Sequence, residues 1–98
     1  MKVSIIIPTL NEEHTLGEII DGCRPHADEM LVVDGHSTDG TRAVAEAAGI
    51  RVILDNRKGK GAALRHAVNF VTGDIIVFID ADGSHDPADI PRLIEPIV

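Results

Sequence analysis

Asp80 and Asp82 stand one residue apart at the end of the apolar run Ile75-Ile76-Val77-Phe78-Ile79. Two carboxylates this close repel each other unless a cation sits between them, and divalent, oxygen-seeking Mg²⁺ or Mn²⁺ is the usual answer. The pair therefore reads in two ways. It can hold a divalent cation for a phosphorylated ligand, or Asp80 can end a strand while Asp82-Gly83 makes a turn. A second cluster has the opposite charge: Asn56-Arg57-Lys58-Gly59-Lys60-Gly61-Ala62 is the one basic stretch in a chain of formal net charge −7. Glycines beside lysines at a helix start let backbone N–H and ammonium groups reach an anion together. A solvated surface loop is the plainer alternative.

Two further segments are polar in a patterned way. Thr9-Leu10-Asn11-Glu12-Glu13 has capping-box spacing between Thr9 and Glu12, with Asn11 as a second possible cap. The segment Asp34-Gly35-His36-Ser37-Thr38-Asp39-Gly40-Thr41 holds more turn and cap residues than one helix start needs. A carboxylate at a strand end, such as Asp34, suits a base N–H or a ribose hydroxyl. No G-x-G-x-x-G follows the first apolar run and no Walker A motif occurs, which disfavours nicotinamide-dinucleotide and P-loop sites. Ser37 lacks the His and acid partners of a hydrolase triad. His14, His26, His36 and His66 show no metal-ligand spacing, while His85 lies three residues past Asp82.

These residues need elements to position them. Strands are expected at residues 3–7, closed by Pro8, at 30–33 ending on Asp34, at 52–54, and over the opening apolar run, which reads as buried on both faces. A first helix shows Leu16, Ile19, Ile20 and Cys23 on one face and stops at Pro25. A second turns Val44, Ala45 and Ala48 inward and stops at Gly49. A third buries Leu64, Ala67, Val68 and Val71 and stops at Gly73. Asp86-Pro87 starts a fourth helix. Strand–helix alternation of this kind predicts an α/β, Rossmann-like parallel sheet of about four strands with helices on both faces, in the order 3-2-1-4 if strand one is central. Ligands of such sheets bind at the carboxyl ends of the strands where the strand order reverses, here between strands one and four. Every polar motif above follows a strand.

With 98 residues, 44% hydrophobic and 26% charged, the chain is a single folded domain and not a disordered segment. Its acidity argues against a nucleic-acid surface. Phe70 and Phe78 are the only aromatic residues besides the histidines, which disfavours stacking platforms. Cys23 is the lone cysteine, so neither an intrachain disulfide nor a cysteine metal cage can form. No stretch has the length of a signal peptide or membrane span, and a cytoplasmic domain is expected.

Taken together, the four polar segments resemble inverting, nucleotide-sugar-dependent glycosyltransferases of the GT-A fold, in the family that includes dolichyl- and polyprenyl-phosphate mannose and glucose synthases. The segments that carry it are Ile6 to Glu13, Val32 to Thr41, Asn56 to Ala63, and Phe78 to Pro87, in that order over nearly the whole chain. The resemblance implies that Pro8, Leu10 and Glu12 line the base and ribose pocket and that Asp34 contacts the base. It implies that Asp80, Ala81 and Asp82 form an Asp-x-Asp motif at the nucleotide, with Asp80 and Asp82 as catalytic metal ligands for Mg²⁺ or Mn²⁺, and that Lys60 sits near a phosphate. The donor would be a GDP- or UDP-hexose. The segment from Asp82 to Pro87 implies a polyprenyl phosphate or related lipid phosphate as acceptor, met at the cytoplasmic face of the membrane.

The chain departs from the family in three ways. Gly35 stands where many relatives carry a second Asp, and Ser84 where many lipid-phosphate synthases carry a metal-binding Gln. The family's domain is also about twice as long, so residues 1–98 read as a single, partial, truncated GT-A domain, the donor-binding half. The outer edge of the fourth strand is then left bare, which predicts a homo-oligomer or a fragment of a longer chain. Two rivals remain: a non-catalytic nucleotide-binding or assembly module, and a nucleotidyltransferase. The latter wants a glycine-rich basic loop after strand one, which residues 8–13 do not supply.

Overall fold

The computed structural model describes residues 1–82, the side chain of Lys60 excepted. The elements run β1 (Val3–Thr9), α1 (Leu16–Cys23), a 3₁₀ turn (Arg24–His26), β2 (Glu29–Asp34), α2 (Thr41–Ala47), β3 (Arg51–Leu54), α3 (Lys60–Val68) and β4 (Ile75–Phe78). All strand pairs are parallel and the sheet order is β3-β2-β1-β4, as expected. The expected fourth helix, with Ser84 and His85, lies outside the described residues.

β-Branched side chains build the centre of the sheet because they suit a pleated surface packed from both sides. Ile5 and Ile7 face α1 and α2 and meet Leu16, Ile19, Ile20, Cys23 and Ala45. Ile6, Leu31 and Val33 face the other way, onto Ala63 and Ala67 of α3. Ile5, Ile6 and Ile7 are fully buried, each stabilising the fold by roughly 1.5–3 kcal/mol. α1 carries its four predicted apolar residues inward. α2 ends where expected: Gly49 N donates to Glu46 O (3.0 Å) and Ile50 N to Ala45 O (3.0 Å), a Schellman arrangement.

Several boundaries differ from expectation for physical reasons. Pro8 does not close β1, which continues to Thr9. Along a parallel strand, alternate residues address opposite neighbours. The carbonyls of Lys2 and Ile6 accept from the β4 side, and those of Val3 and Thr9 from the β2 side. Pro8, two residues past Ile6, therefore turns its missing N–H toward β4, where pairing has already ended at Ile6↔Phe78. The central strand tolerates a proline there, and the two strands separate beyond it.

Thr9 is accordingly no helix cap; α1 begins at Leu16 behind Thr15. α3 buries Ala63 and Ala67, whereas Val68 is exposed and the helix ends before Gly73. β4 is not buried on both faces: Ile75 and Val77 are covered, but Ile76 is half-buried and Phe78 exposed. Helices α1 and α2 share one face of the sheet, and α3 lies over β1 and β2 on the other.

Gly73 serves the approach to β4. Its N–H donates to Ser4 Oγ (2.9 Å), and a Cβ there would lie 2.2 Å from that oxygen and 2.8 Å from Ser4 N. Gly73→Ala should therefore destabilise the protein by roughly 1–3 kcal/mol in urea titrations. Adding Ser4→Ala should restore only part, because the backbone nitrogen still obstructs; full rescue would contradict this account.

Candidate functional site

The loops leaving the four strands converge on one cleft of about 330 Å³. Pro8, Thr9, Leu10 and Glu12 reach it from β1, Val33 and Gly35 from β2, and Asp55 from β3. Gly59 and Ala63 come from the start of α3, and Asp80, Ala81 and Asp82 from the end of β4. The carboxyl edge of a parallel sheet is where such a cleft belongs, and it opens where β1 and β4 separate.

The β1 and β2 loops are laced together by side chains that satisfy backbone N–H groups. Asp34 is fully buried at the end of β2. Its Oδ1 accepts from Thr9 Oγ1 (2.7 Å) and Ser37 Oγ (2.6 Å), its Oδ2 from Ser37 N (2.8 Å), and Arg42 Nε lies 3.8 Å from Oδ2. Ser37 Oγ in turn accepts from Asn11 N (2.8 Å), while Asn11 Oδ1 accepts from Thr38 N (2.9 Å). Asn11 holds a left-handed backbone (φ 54°), a conformation asparagine tolerates.

Further along, Glu12 N donates to Thr41 Oγ1 (2.8 Å) and Gly40 N to Glu13 Oε2 (2.9 Å). Asp39 accepts from Thr41 N (2.9 Å), Glu13 N (3.4 Å) and the Thr41 hydroxyl; that hydroxyl first of all holds its carboxyl below the usual range. The surplus of cap-type residues between Asp34 and Thr41 thus clamps one loop to the other. Thr15 extends the lacing to β4, its hydroxyl donating to the Ala81 carbonyl.

Asp34 is therefore placed differently from expectation. With no exposed surface and both oxygens engaged, it supports the cleft from beneath and does not line it. Pro8, Leu10, Glu12, Asp80, Ala81 and Asp82 do line it together. Lys60 is the first residue of α3, next to the lining residue Gly59. Thr9, Val33, Gly35, Asp55, Gly59 and Ala63 also line it, residues to which the sequence reading gave no site role. Their shared signal was position at or just past the end of a strand, or at the start of α3.

The cleft is electrostatically acidic. Glu12's carboxyl is raised above the usual glutamate range, chiefly by burial and then by the charges of Asp82, Asp39 and Asp80. Such crowding favours a cation. Among the described residues, no group of three or more His, Cys, Asp or Glu is arranged to hold a metal by itself. Asp80 and Asp82 fit a different site, in which one or two carboxylates share a hard cation with ligand phosphates. Cys23 offers no nucleophile: it is buried, and burial pushes its thiol up to about 11.

A raised carboxyl favours the folded state below the glutamate range, and the advantage is lost as pH rises through the raised value. Glu12→Gln, which mimics the protonated form, should raise the melting temperature at neutral pH. The gain should vanish below about pH 4 and shrink when Mn²⁺ is added. Equal melting at neutral pH would contradict the crowding.

Residues 4–98 match the family described as glycosyl transferase family 2. The chain is 37% identical over 97 residues to glycosyltransferase AglJ of Haloferax volcanii, covering 97% of this chain and 32% of that protein. It is 37% identical over 109 residues to glucosyl-3-phosphoglycerate synthase of Mycolicibacterium smegmatis, covering 98% and 36%. Among solved structures it superposes on glucosyl-3-phosphoglycerate synthase of Mycobacterium tuberculosis in complex with Mn²⁺, UDP and glucosyl-3-phosphoglycerate. The TM-score is 0.88 at 38% identity, over 98% of this chain and 39% of that one. The same enzyme has been crystallised with Mn²⁺, UDP-glucose and phosphoglyceric acid. The chain thus spans about a third to two-fifths of the relatives it matches.

Proposed function

The chain belongs to glycosyl transferase family 2, and from that premise we propose that it forms the donor-binding part of a metal-dependent enzyme moving a hexose from UDP-sugar to a phosphate-bearing acceptor. The observation that carries this reading is the convergence of four strand-end loops on a cleft with Asp80 and Asp82 on its β4 side. Solved relatives with Mn²⁺ and UDP support both the metal and the base, and favour UDP over the GDP that the sequence left open.

In this reading Pro8, Leu10 and Glu12 border the nucleoside, and Asp80, Ala81 and Asp82 border the diphosphate. Asp80 and Asp82 are the residues that would hold Mg²⁺ or Mn²⁺. When bound, the cation supplies Lewis-acid stabilisation of the charge that builds on the departing diphosphate. An acidic protein can in this way receive an anionic donor. Lys60 and the N-terminal turn of α3, beside Gly59, add N–H groups and positive charge for phosphate. Thr15 and the Asp34 clamp keep the β4 and β1 loops in register with each other.

For the acceptor, the segment after Asp82 leans toward a polyprenyl phosphate, whereas the relatives crystallised with phosphoglyceric acid favour that small phosphate. A polyprenyl phosphate presents an ionised phosphate oxygen, which attacks without a general base, whereas phosphoglyceric acid also offers an alcohol hydroxyl, whose proton must be taken up as the glycosidic bond forms. No helix among the described residues is long and apolar enough to cross a membrane.

Calorimetric titration of the full chain with UDP should show binding that strengthens at least about tenfold with Mn²⁺ and loses that gain in Asp82→Ala. Transfer assays with phosphoglycerate and with a polyprenyl phosphate then separate the two acceptors. Metal-dependent binding with no transfer to either would favour a binding module, and binding indifferent to both Mn²⁺ and Asp82→Ala would sink the reading.

A further inference from the structure

The end of the cleft opposite Asp80 and Asp82 has a chemistry of its own. In the order β3-β2-β1-β4, Asp55 follows β3 and the Asp80–Asp82 pair follows β4. Three strand spacings separate them, roughly 14 Å, room for base, ribose and diphosphate in line. At the β3 end an apolar side chain and a carboxylate oxygen converge on a bare backbone. A Cβ placed on Gly35 would lie 3.4 Å from Asp55 Oδ2 and 3.7 Å from Leu10 Cδ1. Leu10 is exposed for a large apolar residue, at 57%.

Asp55 is held still. Its N–H donates to Asp34 O (2.9 Å), its Oδ1 accepts from Arg57 N (3.0 Å), and His36 Nε2 lies 3.4 Å from Oδ1 and 3.1 Å from the Asp55 carbonyl. His36 and Arg57 both adopt left-handed backbones (φ 65° and 58°) on either side of it. Among the described residues nothing donates a hydrogen bond to Oδ2, the oxygen nearer Gly35. The carboxylate is mostly covered, with its side chain 18% exposed. A half-satisfied, half-covered, oriented acceptor beside an apolar contact suits the edge of a flat heterocycle that carries a ring N–H.

We propose that Asp55, and not the fully engaged Asp34, is the specificity-determining residue for the donor base, its Oδ2 accepting the N3–H of uracil while Leu10 covers the ring. The inference rests on the nucleotide-sugar reading above. With Oδ1 already occupied, Asp55 offers one acceptor, which matches the single N3–H of uracil. It does not match the paired N1–H and N2–H₂ of guanine, which reward two acceptor oxygens. Cytosine has no proton on N3 and sets a lone pair against the carboxylate. Gly35 leaves that oxygen uncovered on its side, since a Cβ there would come into contact with Oδ2 at 3.4 Å.

Titrating the full chain with UDP and CDP in Mn²⁺ tests this. Wild type should favour UDP by about tenfold or more, the scale of one hydrogen bond to a charged acceptor. Asp55→Asn presents an amide N–H that cytosine N3 can accept, so the UDP:CDP preference should collapse or invert, with Mn²⁺ dependence retained. A UDP:CDP preference unchanged by Asp55→Asn overturns the inference and leaves the function standing; no Mn²⁺-dependent UDP binding by wild type overturns both. Should the variant fail to fold, ¹⁵N-labelled UDP bound to wild type probes the same contact. A bound N3–H signal protected from water exchange supports it, and one exchanging as in free UDP overturns it.

Discussion

The buried carboxylate of Asp34 is the constraint on which the rest of the cleft depends. A charge with no exposed surface is costly unless its oxygens are filled, and here Thr9, Ser37 and Arg42 surround them. Satisfying that group ties the end of β1 to the loop after β2, and Ser37 passes the restraint on to Asn11. Leu10 and Glu12, the cleft residues on either side of Asn11, are thereby set by a group buried beneath the cleft.

The second constraint is the separation of β1 and β4. A proline in a central strand would ordinarily orphan a neighbour's acceptor, but Pro8 faces the side on which pairing has already stopped. The gap that excuses the proline is the mouth of the cleft. Asp80 and Asp82 arrive at that mouth because β4 ends there, and Thr15 fixes their loop through the Ala81 carbonyl. Burial first, and then the charges of Asp82, Asp39 and Asp80, raise Glu12's carboxyl above the usual range.

Much of the fold was legible in the residues. Parallel pairing and the inward faces of α1 and α2 follow from apolar runs and helical spacing, and the order 3-2-1-4 is the one expected for a central first strand. The misreadings have a common cause. Thr9, Glu12 and Asn11 carry the residue types of a helix cap, and local chemistry cannot tell a cap on the next helix from a bond to a segment 25–29 residues away. Val68 sits on the predicted face of α3, yet packing chose Ala63 and Ala67, whose small side chains let the helix approach the sheet. β4 read as doubly buried because Ile75 to Phe78 are all apolar, and composition says nothing of what covers each face.

The sequence by itself determined the α/β class, the family and the acid pair at the end of β4, because periodicity and local motifs are encoded within a few residues of each other. Tertiary structure decided which acid is saturated. Asp34 and Asp55 are both aspartates at or just past the end of a strand, and neither position reveals how many partners its oxygens find. Only the neighbouring loops, brought in from distant parts of the chain, fill both oxygens of one and leave an oxygen of the other facing the cleft.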